Sequence, residues 1–144
     1  MTIQRILVAT DGSAGADRAV EAAAALAKAV DGELLIVTVS GNFPADELRD
    51  LARAEGSLGN AEDLLSSRLL LEAKERAQRA GAPKIGIRSG WGDPAQGIID
   101  AVHRERPDIL VLGRRGRGQL AGLLLGSVSQ KLVSLAPCMV VVVP

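Results

Sequence analysis

Short aliphatic runs alternate along the chain with longer segments in which apolar residues recur every three or four positions. The short runs are typical of buried strands, and the longer periodic segments are typical of amphipathic helices. The pattern predicts five strands, near Ile3–Ala9, Leu34–Val39, Ile85–Arg88, Ile109–Leu112 and Met139–Val143. It predicts helices near Ala16–Val30, Ala61–Ala80, Asp93–Arg106 and Ser127–Leu135, with a shorter helical piece near Ala45–Ala54.

Strands and helices that alternate in this way indicate an α/β protein, with a parallel sheet covered by helices on both faces. At 144 residues the chain is expected to form one domain, spanning 1–144. Ligands of such sheets bind beyond the carboxyl ends of the strands. If the first and fourth strands are neighbours, the loops Thr10–Gly12 and Gly113–Gly116 share one crevice.

The charge balance narrows the range of partners. Seventeen basic and seventeen acidic residues give a net charge of zero, so neither nucleic acid nor a membrane surface is expected as a partner. No acidic residue follows Asp108, whereas Arg114, Arg115, Arg117 and Lys131 do, which makes the last quarter locally positive. A lone cysteine, Cys138, fits a reducing compartment, and we expect a cytoplasmic protein with neither a signal peptide nor a membrane span.

The segment richest in chemical information is Gly113-Arg114-Arg115-Gly116, followed after nine residues by Gly126-Ser127. A strand, a glycine loop and a helix start, in that order, form a cradle for phosphate, because bare amides and the positive end of a helix attract anions. A P-loop is excluded since the chain has no Gly-Lys pair. A dinucleotide fingerprint is matched literally by residues 116–121, but no acidic residue follows at the distance that a ribose contact requires. A solvated basic loop is the plain alternative.

With this motif the chain resembles the universal stress protein family, in its nucleotide-binding branch. The resemblance covers essentially all of the chain and is most specific from Pro107 through Ser129. It implies a Rossmann-like fold with a five-stranded sheet of order 3-2-1-4-5, and a site for ATP that carries Mg²⁺ or Mn²⁺. The family's usual proline after Pro137-Cys138 is Met139 here, which bears on dimerisation.

The resemblance also implies roles for individual residues. Asp11 matches an aspartate near ribose and phosphates and could act on the metal through water, while Val39 matches the position whose backbone meets adenine. The full set of implied nucleotide contacts is Ala9, Asp11, Val39, Leu112, Gly113, Arg115, Gly116, Gly126, Ser127, Val128 and Ser129. A homodimer through Met139–Val143 is implied as well, and a long apolar edge strand is consistent with it.

Simpler structural roles stay open for these residues. Asp11, Ser127 and Ser129 could be helix caps, and the three motif glycines could be turn residues. The sequence contains no nucleophile elbow, metal-ligand cluster or paired carboxylates, and His103 is expected to be a solvated residue. We therefore expect an ATP-binding stress-response module. The alternatives are a weak ATPase and a dimeric interaction module that binds no nucleotide.

Overall fold

The computed structural model of the protein describes residues 1–114 and 125–144, with the main chain only at Asn42. The strands are β1 (Arg5–Ala9), β2 (Glu33–Val39), β3 (Lys84–Gly90), β4 (Ile109–Gly113) and β5 (Met139–Val143). The helices are α1 (Ala14–Val30), α2 (Ala45–Glu55), α3 (Leu58–Arg79), α4 (Pro94–Glu105) and α5 (Ser127–Leu135), and a 3₁₀ turn spans Ser40–Asn42.

The five strands form one parallel sheet in the order β3-β2-β1-β4-β5, which confirms the predicted fold class. β1 is the central strand, and β2 and β4 flank it. Ala9, the last residue of β1, pairs with Val37, whereas β2 continues to Val39. The condition for a shared crevice is therefore met, because the loops after β1 and β4 leave neighbouring strands at the same edge.

Short polar side chains determine where three of the helices begin. Ser13, Ser57 and Asp93 each accept a hydrogen bond from a backbone amide three residues further on, as helix caps do. Ser57 moves the start of α3 to Leu58, three residues before the predicted start at Ala61. The predicted strand near 85–88 is also longer than expected, because all seven residues of β3 pair with β2.

Two apolar layers hold the sheet between helices. On one face α1 and α3 cover the side chains of Ile6, Val8, Leu34 and Ile36. On the other face α4 and α5 cover a second cluster around Leu7, Leu35, Val37 and Leu110. Alanine fills the buried side of α1 at Ala16, Ala19, Ala23, Ala24 and Ala27. These small side chains let α1 lie close to the sheet, so its first turn reaches the edge at which β1 and β4 end.

Candidate functional site

Buried polar side chains concentrate at the edge where the strands end. Six polar residues are buried in the part of the chain that the structure describes. Four of them lie near the ends of β1 and β2, and a fifth lies at the start of α5. These five are Thr10, Asp11, Thr38, Ser40 and Ser129. Burying polar groups costs free energy unless they are hydrogen-bonded, so their clustering makes this edge the candidate site. We call the space beyond the ends of β1, β2 and β4 the carboxyl-end crevice.

The turn after β1 brings Asp11 to this crevice. Its carboxylate oxygen Oδ1 accepts a hydrogen bond from the amide of Ser13 over 2.9 Å, and Gly12 adopts a left-handed φ of 79°. The amide of Gly12 donates to the hydroxyl of Thr10 over 3.2 Å. The helix cap of α1 is Ser13, so Asp11 shapes the turn ahead of the helix without being its cap. Asp11 is 8% exposed, so a largely buried residue with a carboxylate follows the end of β1.

The end of β2 directs backbone groups to the same crevice. The carbonyl oxygen of Val37 accepts a hydrogen bond from the amide of Thr10 over 2.9 Å, so Val37 faces β1 with its backbone groups. Backbone direction repeats every second residue in a strand. The N–H and C=O of Val39 therefore point to the same side, where the paired register of β1 has already ended. Nearby, the hydroxyl of Thr38 donates to the carbonyl oxygen of Thr10 over 2.8 Å and fixes the spacing of the two strand ends.

Three hydrogen bonds join the end of β4 to α5 and β5. The hydroxyl of Ser129 donates to the carbonyl oxygen of Gly113 over 2.8 Å. The amide of Gly126 donates to the carbonyl oxygen of Arg114 over 2.9 Å. The amide of Arg114 in turn donates to the carbonyl oxygen of Val143 over 2.8 Å. Together these bonds place the first turn of α5 beside the last residue of β4.

The start of α5 differs chemically from the starts of α1, α3 and α4. Its cap residue is Gly126, which has no side chain with which to accept a hydrogen bond from the first-turn amides. Helix N-termini present unpaired N–H groups and a partial positive charge, and both attract anions. Ser127 is exposed at this end, whereas Val128 is half-buried in the apolar layer. The arrangement can hold an anionic group above β4.

Gly113 allows α1 to approach the end of β4. A Cβ atom on Gly113 would lie 3.2 Å from the backbone carbon and oxygen of Gly15, and 3.5 Å from the amide nitrogen of Ala16. Those neighbours are main-chain atoms at the start of a helix, so they cannot yield as a flexible side chain would. Packing thus favours glycine at position 113, in addition to any contact that it makes with a ligand.

The structure brings most of the predicted site residues to one edge. Strand ends contribute Ala9, Asp11, Val39, Leu112 and Gly113, and the start of α5 contributes Gly126, Ser127, Val128 and Ser129. Arg115 and Gly116 lie outside the described residues. Sequence reasoning missed Thr38 and Ser40. Their signal was a polar residue near the end of an otherwise aliphatic run, where a buried strand gives no reason for one.

Other predicted features lie outside the crevice. His103 is exposed, as expected. Cys138 is half-buried against the α4–α5 layer, and burial raises the pKa of its thiol. At the opposite edge, the amides of Gln4 and Arg5 hold the pKa of the Asp108 carboxyl below its usual range. Trp91, which follows β3, is 55% exposed.

The described residues contain neither a ready-made metal centre nor a membrane-spanning helix. Within residues 1–114 and 125–144, no three His, Cys, Asp or Glu side chains are grouped so that they could hold a metal ion. None of the helices described here is both long and apolar enough to cross a membrane. Any metal bound with a single carboxylate such as Asp11 would need further oxygen ligands, and the phosphates of a nucleotide are the usual source for Mg²⁺.

Comparison with known proteins identifies the family. The sequence model of the universal stress protein family matches residues 2–144. The chain belongs to the universal stress protein family. A universal stress protein of Thermus aquaticus is 37% identical over 143 residues, which cover 96% of each chain. The resemblance inferred from the glycine motif is confirmed.

Solved structures of this family share the architecture. A universal stress protein crystallised in complex with cAMP is 30% identical, with a TM-score of 0.72 over 99% of this chain and 98% of its own. The universal stress protein UspA of Lactobacillus plantarum has a TM-score of 0.80 at 23% identity, over 100% and 99% of the two chains. The second likeness concerns the fold alone.

Proposed function

We propose that this universal stress protein binds an adenine nucleotide, ATP with Mg²⁺ or Mn²⁺, in the carboxyl-end crevice and acts as a nucleotide-dependent stress-response module. The observation that carries the proposal is the placement of two different recognition elements on either side of β1. The backbone of Val39 lies on the β2 side, and the start of α5 lies on the β4 side. Strands two positions apart are separated by about 10 Å. That span suits a base at one end and phosphates at the other, with ribose between them.

In this proposal, main-chain groups recognise the adenine base by hydrogen bonding. One edge of adenine carries a ring-nitrogen acceptor beside an amino donor, and the N–H and C=O of one extended residue complement that pair. We assign this role to Val39 because Val37 faces β1 and the two-residue repeat of an extended strand directs the Val39 N–H and C=O to the same side. Main-chain recognition does not depend on a polar side chain, which agrees with the aliphatic residue at this position.

The phosphates would bind the uncapped first turn of α5 and the glycine loop. Gly126 leaves the first-turn amides without a side-chain acceptor, and Ser127 is exposed beside them. Arg115 and Gly116 join this subsite as a proposal from the sequence motif. Asp11 would act on a metal carried by the phosphates, through water, since Mg²⁺ typically pairs one or two carboxylates with phosphate oxygens. The related protein crystallised with cAMP supports a nucleotide ligand.

Isothermal titration calorimetry tests the proposal. We expect saturable heat with ATP in millimolar Mg²⁺, and a thermal shift that rises with nucleotide concentration. AMP and cAMP titrated in parallel measure what the terminal phosphates contribute. Gly116→Val should abolish ATP binding while the unfolding temperature stays within a few degrees. Wild-type protein that gives neither heat nor stabilisation with any of the three nucleotides would leave a dimeric interaction module as the better description.

We further propose a homodimer through β5, in a cytoplasmic protein. β5 is the edge strand beside β4, and Met139 is 43% exposed while the four valines that follow are half-buried. The carbonyl oxygen of Val143 faces β4, since it accepts from Arg114. Backbone direction alternates along a strand, so Val140 and Val142 direct their N–H and C=O groups to the open edge. Open apolar edges favour pairing with a second strand.

A further inference from the structure

We propose that Gly97 of α4 is a positioning residue for base recognition, because its missing side chain lets Val39 take the position from which its backbone reaches the crevice. The inference rests on the proposed function and deepens it. Gly97 makes no contact with the nucleotide in this proposal. It acts through the side chain of Val39 and thereby determines how well the adenine end of the crevice is formed.

The contact between Gly97 and Val39 is unusually close. A Cβ atom on Gly97 would lie 2.9 Å from Cγ1 and 3.0 Å from Cγ2 of Val39, and 3.5 Å from its Cβ. A Cβ on Gly90, the residue of β3 that pairs with Val39, would lie 3.5 Å from Val39 Cγ2. The Val39 side chain thus packs against two glycines, and Val39 as a whole is only 2% exposed.

Backbone conformation does not require glycine at position 97. Gly97 lies inside α4, and it is not among the residues with a left-handed φ. Glycine in a helix is disfavoured relative to alanine, so its presence there needs a packing reason. The short distance to Val39 supplies that reason. Gly59 in α3 is the opposite case, because nothing lies within 4 Å of where its Cβ would be.

The chain that follows Val39 cannot move away freely. The hydroxyl of Ser40 accepts a hydrogen bond from the amide of Gly92 over 3.3 Å. A Cβ on Gly41 would collide with the carbonyl oxygen of Gly92, so these two backbone segments touch. With the exit of β2 held against the β3–α4 connection, added bulk at residue 97 must displace Val39 or twist its stiff β-branched side chain.

The expected effect is selective for the base. Gly97 lies on the β2 side of the crevice, whereas the proposed phosphate subsite lies on the β4 side beside α5. Displacing Val39 should weaken the binding of ATP and leave the binding of its triphosphate group nearly unchanged. The ratio of ATP affinity to tripolyphosphate affinity therefore separates a positioning role from general loss of structure, which would weaken both ligands.

The experiment measures ATP and tripolyphosphate binding, in Mg²⁺, by wild type, Gly97→Ala, Val39→Ala, the double variant and Gly59→Ala. We expect Gly97→Ala to lower ATP affinity about tenfold and tripolyphosphate affinity less than twofold, as overpacking of a well-filled contact would do. The double variant should bind ATP about as well as Val39→Ala alone, because both clashing methyl groups are gone. Gly59→Ala should match wild type. If Gly97→Ala unfolds, the double variant still reports the rescue.

Three results would overturn the inference. They are ATP affinity within twofold of wild type in Gly97→Ala, an equal loss for both ligands, or no rescue in the double variant. Failure of the proposed function looks different, since wild type would then bind neither ATP nor tripolyphosphate, and the inference would fall with it.

Discussion

The hydroxyl of Ser129 donates to the carbonyl oxygen of Gly113 over 2.8 Å and so joins the first turn of α5 to the last residue of β4. Ser129 is 5% exposed, and the bond is partly shielded from water. A serine near a helix start suggests a cap, but the cap position belongs to Gly126. The hydroxyl instead sets the distance between a strand end and a helix N-terminus, and the proposed phosphate subsite depends on that distance.

Ser129→Ala should destabilise the fold and weaken nucleotide binding together. The carbonyl oxygen of Gly113 loses its buried donor, at a cost of about 1–3 kcal/mol in the free energy of unfolding. Urea unfolding and ATP titration measure the two effects. Ser134→Ala, at an exposed position on the same helix, is the matched control and should change neither quantity. Equal stability of the two variants would contradict the role given to the Ser129 bond.

Gly113→Ala should push α1 and β4 apart. The added methyl would stand 3.2 Å from backbone atoms of Gly15, and we expect a loss of about 1–3 kcal/mol in stability. Gly59→Ala adds the same methyl to open space at an exposed helical position, and should leave stability unchanged or raise it by up to ~1 kcal/mol. Chemical unfolding measures the free energy of unfolding of both variants. A Gly113→Ala variant as stable as wild type would contradict the packing explanation for this glycine.

Asp11→Asn separates the charge of this side chain from its structural role. Asparagine keeps the oxygen that accepts from the amide of Ser13, so the turn after β1 should keep this hydrogen bond. The lost charge should lower ATP affinity in Mg²⁺ about tenfold, or ~1.4 kcal/mol, and have less effect when Mg²⁺ is chelated. Asp50→Asn, on the exposed surface of α2, controls for net charge. If Asp11→Asn lowers ATP affinity by the same factor with Mg²⁺ and with Mg²⁺ chelated, Asp11 has no link to the metal.

Asp108 should make the fold sensitive to acid. Its carboxylate accepts from the amides of Gln4 over 2.8 Å and Arg5 over 3.0 Å, and these bonds depress its pKa in the folded protein. The unfolded value is about 3.9, so the stabilisation is present above that pH and is lost as pH falls through the lower folded value. Asp108→Asn should flatten the decline in stability below pH 4. Asp63→Asn, at an exposed site on α3, should retain the wild-type decline.

The open edge of β5 gives a test of dimerisation. Val142 directs its N–H away from β4, so Val142→Pro should remove an intersubunit donor while leaving the ladder with β4 intact. We expect a folded monomer by light scattering at micromolar concentration, and a dimer for wild type and for Val142→Ala. A wild-type monomer under these conditions would contradict the proposed interface.

Local sequence signals located the elements well, and their limits are instructive. The starts of α1 and α4 depend on local signals, because their caps, Ser13 and Asp93, bond to amides three residues further on. Ser57 caps α3 in the same way but lies between Gly56 and Gly59, which favour a loop, and α3 starts earlier than predicted. The extent of β3 could not be predicted from its weak apolar pattern. Its length comes from pairing with β2 along all seven residues, which is a tertiary property.

The sequence by itself determined the order of strands and helices, the glycine spacing around β4 and the family, because these depend on periodicity and on residues close together in the chain. Only the tertiary structure decided that Ser129 holds Gly113, that Thr38 bonds to Thr10, and that Gly97 touches Val39. Such pairs are 16 to 58 positions apart. Whether two of these groups meet depends on strand register and on helix-to-sheet distances of a few tenths of an ångström, which no local pattern encodes.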